Sequence, residues 1–248
     1  MSAIYILWLR QIKRYLRSKA RIVGSLGQPL LFFAALGFGF GPIYEKAGGG
    51  NYLEFLAPGI IAMSIMFTAV FSGIEMIWDR QFGFLKETFV APVSRLRIVI
   101  GRTLGGATVA MLQGIVVLIL TTIAGFRLDN YWALPLALLM MFIVALLFTA
   151  LGTCIGSVLE DMQGFQLISN FLIMPIFFLS GALFPLQGLP KAMTIIASAD
   201  PLAYGVDAMR YFLTGSIHFG LVLDLSILFT ITAILLAFSS YLFSKIEM

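Results

Sequence analysis

Long runs of apolar residues, almost free of charge, are the feature that most restricts how this 248-residue chain can fold. Six such runs are predicted to form helices near residues 22–41, 58–78, 97–125, 133–158, 165–184 and 220–243. Because a helix rises about 1.5 Å per residue, about 20 residues span the roughly 30 Å hydrocarbon core of a membrane. Charged residues make up 11% of the chain, against about a quarter in soluble proteins. The sequence therefore predicts an all-α integral membrane protein with a single six-helix transmembrane domain over residues 1–248.

The distribution of basic residues predicts the orientation of these helices. An even number of spans leaves both termini on the same side, and Lys and Arg near span ends favour the cytoplasm. Twelve of the 16 Lys and Arg residues fall on the side of the termini, and Lys46, Arg127, Lys191 and Arg210 fall on the other. We therefore expect a multi-pass protein of the plasma (inner) membrane with both termini cytoplasmic.

Residues 1–21 are predicted to form an amphipathic helix before the first span. At a period of 3.6 residues, one face is basic and the other carries Tyr5, Trp8, Ile12 and Tyr15. Such a helix lies flat on the inner leaflet, with its cations towards anionic headgroups or a cytoplasmic partner. The alternatives are an anchor that only sets topology and a contact with another subunit. The basic face comprises Arg10, Lys13, Arg14, Arg17 and Arg21.

The connection between the second and third spans holds an unusual share of the chain's charge. Residues 79–102 carry seven of the 28 charged side chains, in about a tenth of the length. Phe82, Leu85 and Phe89 recur at helical spacing before Pro92. We predict a short amphipathic cytoplasmic helix at residues 79–92 that docks a partner, and an ordinary solvated connection is the alternative. The seven charged residues are Asp79, Arg80, Lys86, Glu87, Arg95, Arg97 and Arg102.

The segment 185–218, between the last two spans, is too long for a turn and too interrupted to span a membrane. A short helix is predicted at residues 192–197, and Asp200 followed by Pro201 predicts the start of a second helix that ends near Leu213, before Gly215. Helices of this length fit a re-entrant segment in the outer leaflet. Asp207 is predicted to pair with Arg210, one turn further on.

Small residues at four-residue intervals in the third and fourth spans predict close contacts between helices. Small side chains let helix backbones approach closely in lipid, where apolar burial gives little drive to associate. Packing within one chain is favoured over a dimer face. The residues are Gly101, Gly105, Gly106, Ala110, Gly114, Gly152 and Gly156.

The chain lacks the motifs of an ATPase or a metalloprotein. None of its six lysines follows a glycine, so the GxxxxGK[ST] phosphate loop is absent. Cys154 and His218 are the only residues of their types, so no catalytic or metal-binding residue is predicted, and no bound cofactor or nucleic acid. Any energy that drives this chain would therefore come from a partner or from an ion gradient. An ion-coupled carrier would use Glu75 or Asp224, the acids within the spans, and a scaffold that recruits a cytoplasmic protein is a further alternative.

Two motifs resemble those of a known family. DRQFGFLKETFVAPVSR, which begins at Asp79, is similar to the signature of the ABC-2 family of ATP-binding-cassette transporter permeases, in particular the drug and lipo-oligosaccharide exporters. DPLAYGVDAMR, which begins at Asp200, is similar to the family's extracellular segment before its last span. Gln81 stands where the family often has an acid, and Asp200 stands where Asn is usual.

The resemblance implies a homodimeric exporter core that works with a separate ATP-binding-cassette ATPase subunit, which would hold ATP and Mg²⁺. The cargo would be an amphipathic drug, a lipid or a lipid-linked glycan. Its path would follow the dimer interface along spans one, two and five, with Gln28, Asn170 and Phe177 as candidate lining residues. The predicted helix at 79–92 would be the coupling helix, which contacts the ATPase through Asp79, Arg80, Phe82, Gly83, Phe84, Leu85, Lys86 and Glu87.

Overall fold

Helices make up most of the computed structural model, which describes residues 2–84, 93–128, 130–188 and 190–245. Within these ranges, six helical stretches are long and apolar enough to cross a membrane, which confirms the predicted number and order of spans. In chain order the α-helices of the described ranges are α1 (Ala3–Arg17), α2 (Lys19–Lys46), α3 (Tyr52–Phe71), α4 (Ile74–Gln81), α5 (Arg95–Ile123), α6 (Leu134–Val158), α7 (Met162–Leu179), α8 (Lys191–Ser198), α9 (Pro201–Thr214) and α10 (Leu221–Ser244). The six candidate spans are α2, α3 with α4, α5, α6 with the 3-10 turn Tyr131–Ala133 before it, α7 and α10.

Helix α3 lies at the centre of the bundle. Its residues Leu56, Ile60 and Ile65 are fully buried, and they belong to one apolar core with Val144 and Phe148 of α6. Helices α5 and α6 pack against α3 and against each other. The spans α2, α7 and α10 bury a much smaller part of their surface. Their outward faces are therefore left for lipid or for another protein chain.

Glycines set the closest approaches between the helices. A Cβ atom on Gly152 of α6 would collide with the carbonyl oxygen of Val70, where α3 ends, and one on Gly114 would lie 2.6 Å from Ile65. Gly101 and Gly105 of α5 face α1, because a Cβ on Gly101 would lie 3.0 Å from the Ile4 carbonyl oxygen. The predicted small-residue contacts thus occur within one chain, and two of them accommodate α1 instead of a membrane span.

The predicted charged helix at residues 79–92 begins differently from our expectation. Asp79 and Arg80 belong to α4, which continues the second span as far as Gln81. Gly83 then adopts a φ of 76°, a left-handed conformation that ends the helix. Any separate helix therefore starts after Gly83. Residues 85–92, which include Leu85, Lys86 and Glu87, lie outside the described residues.

The short helices before the last span match the prediction closely. Asp200 caps α9 by accepting a hydrogen bond from the Leu202 N–H at 2.8 Å. Gly215 ends the helix with a φ of 73°. Helix α8 covers the predicted segment 192–197 with one residue more at each end. Helix propensity and capping residues thus determine where α8 and α9 begin and end.

The predicted pair of Asp207 and Arg210 is wrong, because both side chains bind backbone groups instead. The Asp207 carboxylate accepts hydrogen bonds from the N–H groups of His218 and Phe219, at 2.7 to 3.0 Å. The Arg210 guanidinium donates to the carbonyls of Phe55, at 3.2 Å, and Gly181, at 3.1 Å. Gly181, His218 and Phe219 lie in connections between helices, where backbone groups lack helical partners, so the buried charged side chains satisfy them. Arg210 thereby links α9 to α3 and to the segment after α7.

Replacing Gly152 by alanine should destabilise the protein. The added methyl group would collide with the Val70 carbonyl, and overpacking of this kind costs about 1–3 kcal/mol. Thermal unfolding in detergent micelles should show a lower midpoint. Gly39→Ala is the matched control, because no atom lies within 4 Å of its added Cβ and alanine favours the helix. Equal midpoints for the two variants would contradict the close approach of α3 and α6.

Asp200 should make the stability of the segment after α7 depend on pH. Burial raises the pKa of its carboxyl from 3.8 to about 7, although the Leu202 N–H opposes the shift. Between these values the unfolded chain is ionised and the folded one is protonated, so stability falls as pH rises and then levels off above about pH 7. Asp200→Asn keeps the N-cap but cannot titrate, so it should remove this slope. Thermal midpoints at intervals from pH 4 to pH 8 would measure the difference, and parallel curves for the two proteins would refute it.

Candidate functional site

We call the end of the bundle that carries α1 the basic end. Two acidic residues on α4 organise it. Glu75 and Asp79 are four residues apart, so they lie on one face of α4. Arg10 donates to Asp79 at 2.8 Å, and Arg102 of α5 also binds this carboxylate. Arg21 donates to Glu75 at 2.8 Å. The side chains of both acids are more than nine-tenths buried.

These ion pairs join four helices. Asp79 connects α4 to α1 and α5, whereas Glu75 connects α4 to the start of α2 and to Arg14 of α1, at 3.7 Å. A buried charge that loses its partner costs about 3–5 kcal/mol, so the pair of Asp79 and Arg102, buried on both sides, strongly disfavours separation of α4 and α5. The arginines of the other pairs are 30% to 35% exposed, so water weakens those pairs. The five basic residues of the predicted N-terminal helix were expected to face headgroups or a partner. Arg10 and Arg14 of α1, and Arg21 at the start of α2, instead bind acids of their own chain. Lys13 and Arg17 stay exposed.

The aromatic face of α1 packs against α5. The indole N–H of Trp8 donates to the hydroxyl of Thr108 at 3.0 Å, and the Tyr15 hydroxyl donates to the side-chain carbonyl of Gln113. Burial raises the pKa of Tyr15, so it remains a neutral donor. Helix α1 is therefore fixed to the bundle along both faces.

The predicted docking residues fall into two groups. Asp79 is buried in its ion pairs, and Arg80 donates to the Ser157 carbonyl at 3.1 Å, so both hold α4 against the rest of the chain. Phe82 is 80% exposed although it is aromatic. Phe84 lies beneath the Arg10 guanidinium, 3.7 Å from its ring centre. Gly83 joins these two rings through its left-handed turn.

An open groove of about 850 Å³ runs between α1 and the end of α4. Among the described residues that line it, four are cations and one is an acid, Asp79, which Arg10 and Arg102 already neutralise. Its walls are otherwise apolar. We call this the basic groove, and it is lined by Tyr5, Ile6, Leu9, Arg10, Lys13, Arg14, Arg17, Trp78, Asp79, Phe82 and Phe84.

The three candidate path residues lie in different places. Gln28 is exposed on α2 and lines a separate cavity between α2 and α3. Asn170 is half-buried on α7. Phe177 is buried in the core, edge-to-face with Phe32 of α2, with ring centres 6.3 Å apart. The structure therefore does not bring them together within one chain.

The ionic connections were not among the sequence predictions, although a signal for them was present. Arg10 and Arg14 repeat at the same four-residue interval as Glu75 and Asp79. Two helices with matching intervals of opposite charge can pair along their length. Arg102 is a charge within an apolar span, which normally has a partner. Nothing in the sequence indicated that Trp8 and Tyr15 would meet Thr108 and Gln113.

A helical bundle with six candidate spans defines this protein as a multi-pass membrane protein. A sequence model of the ABC-2 type transporter family matches residues 2–214, and the chain belongs to that family. It is 33% identical to Nodulation protein J of Rhizobium leguminosarum bv. viciae over 195 aligned residues. This alignment covers 77% of this chain and 74% of the relative. It is also 25% identical to the putative transport permease ycf38 of Cyanophora paradoxa over 218 aligned residues. That alignment covers 85% of this chain and 74% of ycf38. The chain is thus the membrane subunit of a transporter, and its family implies association with an ATP-binding subunit.

Removal of the Asp79 charge should destabilise the basic end. Asp79→Ala leaves Arg102 buried without its carboxylate, at a cost of about 3–5 kcal/mol. The expected result is a large drop in the thermal midpoint, or failure to fold. Glu160→Ala is the control, because the Glu160 side chain is 87% exposed and 3.9 Å from Arg80, where an ion pair contributes little. Equal midpoints for the two variants would show that the buried pairs do not fix α4.

Proposed function

We propose that this chain is the permease subunit of an ATP-driven exporter, and that the ATPase subunit docks in the basic groove. The observation that carries this proposal is the position of Phe82, which is 80% exposed at the edge of a groove rich in cations. Exposed aromatic and basic residues around a concave surface are typical of protein interfaces. The groove fits an ATPase segment with acidic residues along one side and apolar residues along the other.

Some of the proposed docking residues contact the ATPase, and others support the docking surface from within the bundle. Phe82, Gly83 and Phe84 are proposed to contact the ATPase, together with Leu85, Lys86 and Glu87 of the adjacent segment. Lys13 and Arg17 of α1 contribute their exposed charges. Asp79 and Arg80 support this surface from behind, because their side chains bind the bundle.

The buried ion pairs offer a route by which ATPase movement reaches the spans. A displacement of α4 would act on α5 through Asp79 and Arg102, and on α2 through Glu75 and Arg21. These contacts are short and buried, so they transmit force better than flexible surface contacts. Coupling in the thermodynamic sense requires that the nucleotide state and the affinity for cargo change together.

The cargo is proposed to be an amphipathic drug, a lipid or a lipid-linked glycan that leaves the cytoplasm or the inner leaflet. Two copies of this chain would form its path between them. The outward faces of α2 and α7 support this arrangement, since α7 exposes Gln166 beside Leu167 and Phe171. A polar side chain on a span favours contact with protein or water over lipid. The basic end and both termini would then be cytoplasmic in an inner (plasma) membrane, and ATP with Mg²⁺ would bind only the partner.

Phe82→Asp should disrupt the complex without unfolding the permease. The exposed ring makes few contacts in its own chain, but its loss from an interface centre should weaken binding by roughly tenfold or more. Co-purification with a candidate ATP-binding-cassette ATPase subunit, followed by ATP-driven transport in vesicles, measures the effect. Trp132→Asp is the matched control, because Trp132 is 93% exposed at the opposite end of the bundle.

Three results would overturn the proposal. Complex formation by Phe82→Asp equal to that of the control would show that docking occurs elsewhere. Transport by the permease alone under a proton gradient would favour the ion-coupled carrier. Its best candidate is the buried Asp224 carboxylate, which has no hydrogen-bond partner among the described residues. Partner binding with no transport of any cargo would favour a scaffold.

A further inference from the structure

A second cavity, of about 250 Å³, lies between α2 and α3 and is separate from the basic groove. It extends from Arg21, at the start of α2, to Met63 and Ser64 in the middle of α3. Ligand pockets usually measure about 300–1,000 Å³, so this cavity suits the head group of an amphiphile better than a whole drug-sized molecule. We call it the head-group cavity.

The α2 wall of the head-group cavity offers polar groups within an otherwise apolar span. Pro29 has no N–H, so the carbonyl of Ser25, one turn earlier, lacks its helical partner. Gln28 exposes its amide on the same stretch. Gly24 leaves open space, because no atom lies within 4 Å of the position of a Cβ there. This wall therefore provides hydrogen-bonding groups and an opening.

The α3 wall contains a buried hydroxyl without a partner. Ser64 is 2% exposed, and its oxygen makes no hydrogen bond in the described structure. Buried polar groups are normally satisfied, so a partner from outside the chain would relieve this cost. Thr68 adds a second hydroxyl, and the stacked rings of Phe67 and Phe71 form an apolar side, with ring centres 6.3 Å apart. The cavity is thus amphipathic.

The charge of the head-group cavity is positive. Among the described residues that line it, Arg21 alone carries a formal charge. Glu75 binds one nitrogen of Arg21, but Arg14 shares the same carboxylate. Two guanidinium groups therefore face one acid, and Arg21 retains further N–H donors. An anionic group in the cavity would balance the excess charge.

We propose that the head-group cavity binds the anionic head group of an amphiphile, with its acidic oxygens at Arg21 and its uncharged polar atoms at Gln28 and Ser64. The apolar chain would leave past Gly24 into the surrounding lipid. A membrane phospholipid and the cargo itself share this chemistry. Binding stands independently of the proposed export function, whereas the identification of the ligand as cargo rests on it.

Photolabelling tests the site in the intact complex. The permease with its ATPase subunit, in phosphatidylcholine nanodiscs, receives trace photoactivatable phosphatidylglycerol or phosphatidylcholine, and labelled peptides are identified by mass spectrometry. The anionic probe should label α2 and α3 at least fivefold more than the zwitterionic one. Gly24→Leu fills the opening and should reduce this labelling at least fivefold. Gly27→Leu is the matched control, because it has equally open surroundings but does not line the cavity.

Equal labelling by the two lipids, or undiminished labelling of Gly24→Leu, would overturn the proposal. Gly24→Leu with normal co-purification of the ATPase but without labelling would support the site and leave the docking proposal intact. If Phe82→Asp loses ATPase binding but keeps the labelling, the head-group cavity and the docking site are likewise independent. ATP-dependent appearance of the anionic probe in the opposite leaflet of vesicles, lost in Gly24→Leu, would identify the ligand as cargo. Labelling without such movement would identify it as a bound membrane lipid.

Discussion

The buried ion pair between Asp79 and Arg102 is the constraint on which the basic end of this protein depends. Neither charge can remain in an apolar bundle without the other, so α4 and α5 must stay in register. Arg10 binds the same carboxylate and thereby fixes α1 across both helices. The surface proposed to receive the ATPase is built on this cluster, and its position follows from that of Asp79.

Backbone proximity is the second constraint. Apolar side chains gain little from leaving lipid for a helix interface, so the bundle relies on close van der Waals contact. Gly73 and Gly152 let α6 approach the break between α3 and α4, directly before the acids of α4. Tight packing on one side of α4 and ion pairs on the other leave it little freedom to move alone. A displacement of α4 would therefore also displace the helices that pack against it.

Much of the fold was predictable because local chemistry specifies it. Apolar length determined the six spans, and Asp200, Pro201 and Gly215 determined the limits of α9. The candidate site was less predictable. Asp79 belongs to a conspicuous charged motif, yet its side chain points into the bundle. Its partners Arg10 and Arg102 are 69 and 23 residues away in the sequence, so local spacing did not predict these contacts. Asp207 and Arg210 have ideal helical spacing but bind backbone groups, since buried carbonyl and N–H groups compete for them.

The sequence by itself determined that this chain is a helical membrane protein, where its spans lie, that it lacks a phosphate-binding loop, and which motifs tie it to its family. These properties depend on composition, periodicity and short-range spacing. Only the tertiary structure decided which charges face inward, that Phe82 remains exposed, and that an amphipathic cavity lies between α2 and α3. Charges in an apolar bundle must find partners wherever the fold places them, and such partners are determined by helix packing rather than by distance along the chain.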